Sequence, residues 1–163
     1  MKNFYLKTLL ILAISLTSCS TDEDEVYLEA KAEDINVVYN SLELEVLNLV
    51  NSYRTSNNLP ELQRMNVISV VAESHSDYMV ETGLVNHDNF PLRNKELVKR
   101  ANATSVGENV AFGFNSAEGV VNAWLKSDGH RSIIEREDFT HFGVSVETNK
   151  EGKNYFTHIF IKQ

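Results

Sequence analysis

Four residues of this chain carry side chains that could work together: His87, Glu108, Ser127 and His130. Two imidazoles and a carboxylate form a suitable ligand set for zinc, whose catalytic sites commonly take three nitrogen or oxygen ligands and keep a fourth position open. In that chemistry His87 and His130 hold the cation, and Glu108 either joins them or moves protons as a general base. Ser127 and His130, with Glu108 as orienting acid, could instead be read as nucleophile and base. No strained glycine-serine-glycine elbow surrounds Ser127, and a serine near a helix end more often bonds its local backbone. A third reading is architectural, with the acid and histidines bracing loops. Spacing does not choose among them. His87, Glu108 and His130 are separated by 21 and 22 residues, unlike two histidines one helical turn apart, so the fold must bring them together.

The elements around these residues are legible from periodicity. Glu108 follows Gly107 and precedes Val110, Ala111 and Phe112, at the mouth of a short apolar segment where a carboxylate is costly unless paired; a partner is therefore expected. Ser116 can cap a helix carrying Val120, Val121, Trp124 and Leu125, with Trp124 on its buried stripe. Gly129 should stop that helix and aim His130 into a cleft. His87 lies in the loop VNHDNFPL (85–92), which lacks helical period and leads into a short helix near 93–101. Upstream, Leu42, Val46, Leu49, Val50 and Tyr53 mark an amphipathic helix over 41–56. A second helix, with Asn66 as its cap, runs to Gly83, and its His75 falls beside the buried stripe, where packing or a hydrogen bond is expected. Two alternating segments, 142–146 and 155–161, flank Asn149-Lys150-Glu151-Gly152 and predict an antiparallel hairpin, with His158 on a half-buried face. Early helices and late strands imply an α+β fold, one sheet covered by helices.

The 163 residues support one folded domain preceded by an address. Lys2 and Lys7 start the chain, an apolar run follows, and Leu16-Thr17-Ser18-Cys19 closes it in a pattern that resembles a bacterial lipobox. That resemblance implies a signal peptide over 1–18, cleavage before Cys19, and lipid (palmitate or a similar acyl chain) on Cys19, tethering the protein to the membrane without spanning it. Cys19 is the only cysteine, so internal disulfides and a cysteine-ligated zinc are excluded. Residues 19–38 read as the lipidated cysteine and an acidic linker. The stretch Ser20-Thr21-Asp22-Glu23-Asp24-Glu25 is similar to export tags of some Gram-negative surface lipoproteins, which points to the outer membrane with either a periplasmic or a surface-exposed domain. The 15 basic residues face 23 acidic ones, a formal net charge of −8, which weighs against nucleic acid as a partner. The remaining 39–163 form the domain, long enough to bury roughly two-thirds of its unfolded surface.

Seven segments in order, LNLVNSYR (47–54), A-x-x-H-S-x-x-M (72–79), NHDNFPLR (86–93), GENVAFG (107–113), VVNAWLKSDGHR (120–131), FTHFGVSV (139–146) and YFTHIF (155–160), resemble the SCP-like, or CAP, superfamily in its cysteine-poor bacterial branch. The resemblance implies a three-layer α-β-α sandwich with a central, mostly antiparallel sheet and a cleft tetrad of two histidines and two acids. His87 and His130 match the histidines and Glu108 one acid. Ser127 stands where many members carry the second glutamate, Ser132 where asparagine is frequent and His158 where glutamine is usual. The resemblance thus implies a cleft in which His87 and His130 are the metal candidates, for zinc or another divalent ion, and Glu108 the candidate catalytic group. The family implies a lipid, sterol or cell-envelope ligand. A binding module is favoured because no recognised nucleophile is present; a metal-assisted, peptidase-like hydrolase using His87, His130 and Glu108 is the alternative.

Overall fold

The computed structural model describes residues 35–163. The signal peptide, Cys19 and the acidic stretch after it lie outside the described residues. Five helices and four strands follow in the order α1 (Ser41–Ser56), β1 (Gln63–Arg64), α2 (Asn66–Thr82), α3 (Phe90–Ala101), β2 (Ser105–Phe112), α4 (Ala117–Lys126), α5 (Asp128–Ile134), β3 (His141–Thr148) and β4 (Asn154–Lys162). This is the α+β architecture anticipated from the sequence. The sheet order is β1-β3-β4-β2, antiparallel except where the two-residue β1 runs parallel to β3.

Strand alternation divides the core into two layers. Phe142, Phe156 and Phe160 point to one face and pack with Val46, Val50, Val120 and Trp124 from α1 and α4. Ile159 and Ile161 point to the other and meet Val67, Ile68, Val71 and Leu97 from α2 and α3. Successive side chains of a strand point to opposite faces, so helices must cover both. The approach of α2 to the sheet is close: a Cβ on Gly143 would lie 2.6 Å from the Ser69 backbone nitrogen and 2.8 Å from the Ile68 Cβ. Among the described residues no helix is long and apolar enough to cross a membrane.

Local signals explain most element ends. Asn40 caps α1 by accepting from the Glu43 backbone, while the Glu43 carboxylate accepts from the Asn40 N–H, closing a capping box. Gly83, in the left-handed region at φ 69°, ends α2. Helix α3 starts earlier than its apolar pattern indicates, at Phe90, because Pro91 is well tolerated in a first turn. Three other expectations are corrected. Asn66 does not cap α2; its amide donates to the Ile35 carbonyl and its Oδ1 accepts from Tyr39. Gly129 does not end a helix: α4 stops at Ser127, whose extended backbone starts α5, and Gly129 and His130 lie inside that short helix. His158 is not half-buried but has no exposed surface, enclosed by Trp124, Phe142 and Phe160.

Candidate functional site

Glu108 sits mid-strand in β2 on the face covered by α2 and α3, with 1% of its side chain exposed. The partner its placement demands is Arg93, in the first turn of α3. Arg93 Nε donates to Glu108 Oε2 at 2.6 Å and Nη2 to Oε1 at 2.7 Å, a bidentate arrangement. A third bond comes from His87 Nδ1 to Oε1 at 2.8 Å. Burial raises the Glu108 pKa, but the His87 bond, the Arg93 bonds and the Arg93 charge together overcome it, and the carboxyl is held below its ordinary value. Because an ionised carboxylate only accepts, Nδ1 of His87 carries the proton, and Nε2 is left without a hydrogen-bond partner among the described residues on a half-exposed ring.

The loop bearing His87 is pinned from several sides. The buried His75 on α2 donates through Nε2 to the Asn86 carbonyl at 2.8 Å, and burial, the largest cause, lowers its pKa so that the ring stays neutral. Asp88 Oδ2 accepts from Tyr78 and Asn86, and Arg93 Nη1 donates to the Asp88 carbonyl at 2.6 Å. Arg93 therefore fixes both the acid and the loop. The sequence pattern gave Arg93 no role of its own; the available signal was the need of a buried Glu108 for a cation.

Helix α5 supplies the other half. His130 Nδ1 and Ser127 Oγ are hydrogen-bonded at 2.8 Å, and the Asn109 amide, on the opposite side of β2 from Glu108, donates to the His130 carbonyl at 3.1 Å. Burial and then the charge of His87 lower the His130 pKa, favouring its neutral, lone-pair-bearing form. His87 and Glu108 thus touch directly, Ser127 and His130 touch directly, and the two histidines lie within electrostatic reach of each other.

This geometry limits the chemistry. With both oxygens bonded and its basicity reduced, Glu108 is poorly placed to take a proton or to join a cation's ligands. Its arrangement is that of a carboxylate orienting a histidine whose far nitrogen is presented outward. Among the described residues no three His, Cys, Asp or Glu side chains are grouped to hold a metal ion. Beside His87 lies a trough of about 330 Å³ floored by Val106, Gly107 and Glu108 and walled by His87 and Phe90 on one side and Ile133 and Phe139 on the other.

The model of the family described as CAP, cysteine-rich secretory proteins, matches residues 47–160. The chain belongs to that family. It is a cysteine-poor member, with one cysteine in 163 residues, so no internal disulfide ties its CAP domain. It is 30% identical over 124 residues to the uncharacterized membrane protein YlbC of Bacillus subtilis, covering 74% of this chain and 34% of that protein. Among solved structures it resembles an extracellular SCP-domain protein from Bacillus anthracis, with 28% identity and TM-score 0.67, over 76% of this chain and 41% of the other. It shares its fold with an outer surface protein of Borrelia burgdorferi at 20% identity and TM-score 0.68, over 77% and 96%. The CAP domain therefore spans about a third of YlbC and two-fifths of the Bacillus anthracis chain.

Proposed function

We propose that this protein is an extracytoplasmic binding module, tethered to the outer membrane through acyl chains on Cys19, whose cleft presents His87 and His130 to a lipid or other cell-envelope ligand and takes a divalent cation between their Nε2 atoms. The observation that carries this reading is the complete pairing of Glu108, which makes it a positioning group for His87 and leaves the imidazoles as the groups on offer. Two imidazoles without a carboxylate are a weak site, with affinity for zinc micromolar or weaker and lost on acidification, because an imidazole must give up its proton to bind a metal. Family membership and the extracellular Bacillus anthracis relative support an extracytoplasmic location.

Zinc titration of the full chain by calorimetry tests the cleft. Saturable binding should appear in the wild type and vanish in both His87→Ala and His130→Ala. An unchanged isotherm in either variant, or no heat in the wild type, removes the cation from the reading.

A further inference from the structure

The trough runs along the free edge of the sheet, and its floor is backbone. The Gly113 N–H donates to the Asn154 carbonyl, which fixes the phase of the β2 ladder: odd residues from Gly107 to Gly113 bond toward β4, and even residues turn their N–H and C=O groups outward. On the opposite edge the chain seals such groups. The Phe142 carbonyl accepts from the Met65 N–H, the Val144 N–H donates to Ser69 Oγ, and the Val146 N–H donates to Glu43 Oε1. On β2 the Val110 carbonyl is sealed by the Trp124 indole at 3.0 Å. Among the described residues nothing bonds the outward groups of Val106 and Glu108, and these two lie in the trough floor. An unpaired edge with apolar walls is a template for another strand.

We propose that this trough binds an extended peptide of about three residues, which adds as a short strand beside Val106 and Glu108. The inference rests on the reading of the cleft as a binding surface and deepens it by naming the ligand class, but it does not need the metal. Each outward residue can exchange two backbone bonds with the guest. Guest side chains alternate, one toward Ile133 and Phe139, the next toward Phe90 and His87. Gly107 keeps the floor low, since a Cβ there would lie 3.0 Å from both Ile133 Cγ2 and Phe139 Cζ. The cations at the trough are already paired, Arg136 with Asp138 and Arg93 with Glu108, so the guest that fits is uncharged and apolar.

The test is a titration of the full chain, in EDTA, with an acetylated and amidated hexapeptide alternating valine and threonine, followed by amide NMR and hydrogen exchange. The Val106 and Glu108 amides should shift saturably and exchange at least about tenfold more slowly, while Gly107 and Asn109 stay as they are. Val106→Pro removes one outward N–H without touching the β4 ladder, as edge strands tolerate, and should weaken binding about tenfold. If that variant misfolds, the guest provides the control: N-methylation at one set of alternate residues should abolish binding, and at the other should leave it. No saturable shift, or equal effects of the two methylation patterns, overturns the proposal. So does strong protection of the Val106 and Glu108 amides before peptide is added, which would mean that a second copy or the chain's own linker occupies the edge. Because the titration runs without metal, its failure is separate from failure of the zinc experiment.

Discussion

Arg93→Met removes the cation from a carboxylate with 1% of its side chain exposed, while keeping the length and apolar stem of the residue. Two charge-assisted bonds to Glu108 disappear, at 2.6 and 2.7 Å, along with the bond to the Asp88 carbonyl that holds the His87 loop. Bonds of this kind contribute about 1.5–3 kcal/mol each, and removing one partner of a buried pair generally costs about 3–5 kcal/mol after relaxation. We expect a loss of that size at pH 7, seen in urea unfolding, and a fall in Tm of about 10–20 °C for a domain of this length. The pH dependence gives a second readout. In the wild type the Glu108 pKa lies below its ordinary value of 4.5, so its contribution is present above that value and is lost as pH falls through the lower folded one. Without Arg93, burial, the largest cause, is opposed chiefly by the His87 bond, and we expect the folded pKa to rise above 4.5; the penalty then grows as pH rises toward 7 and shrinks on acidification. The double variant Arg93→Met, Glu108→Gln should recover at least half of the loss at pH 7. A cost below about 1 kcal/mol at pH 7, or one that is flat between about pH 4 and 7, would refute the account of Arg93 as the group that neutralises Glu108.

Two further outcomes are expected. His158 is fully buried, both ring nitrogens lack a partner among the described residues, and burial pushes its pKa from 6.5 down to about 3. Its neutral form is favoured on folding, so stability is present above pH 6.5 and lost as pH falls toward 3, by about 4–5 kcal/mol across that window; His158→Phe should shift the acid unfolding midpoint to lower pH, and an unmoved midpoint would count against it. Cys19→Ser should abolish labelling by radioactive palmitate and release the protein from the membrane fraction; a variant that stays with the membrane would show that the tether lies elsewhere.

Much of the fold was legible because helix and strand periods differ and each is tied to burial. The stripe of Leu42, Val46, Leu49 and Val50 located α1, and alternation in 142–146 and 155–161 located the hairpin. Two-residue β1 has no period to read, and its partner β3 lies far along the chain. Alternation also assigns a residue only to a face, not to a depth. It could not separate half-buried from enclosed for His158, whose burial depends on Trp124 arriving from α4. The need of Glu108 for a partner followed from the cost of a buried charge, but the identity of that partner did not: Arg93 is fifteen positions upstream, and only the packing of α3 beside β2 brings the guanidinium there. The helix boundary before His130 lies elsewhere for a related reason. Gly129 is a frequent helix terminator, yet the chain breaks two residues earlier, at Ser127, and the glycine continues into α5.

The position of the cleft is a consequence of the topology. A sheet covered on both faces isolates its two helical layers, since side chains from one layer cannot reach the other through the strands. They can meet only around an edge. One edge is closed by β1 and by Ser69 and Glu43; the other belongs to β2. Around β2 the loop between α2 and α3 brings His87 from one layer, and α5 brings His130 from the other. Glu108 and Asn109, adjacent residues on opposite faces of the same strand, hold the two halves: Glu108 the ring of His87, Asn109 the backbone of His130. Any ligand engaging both imidazoles therefore bridges the two layers, and its binding should slow amide exchange in α3 and α5 together, while binding to one histidine alone would protect only one of them.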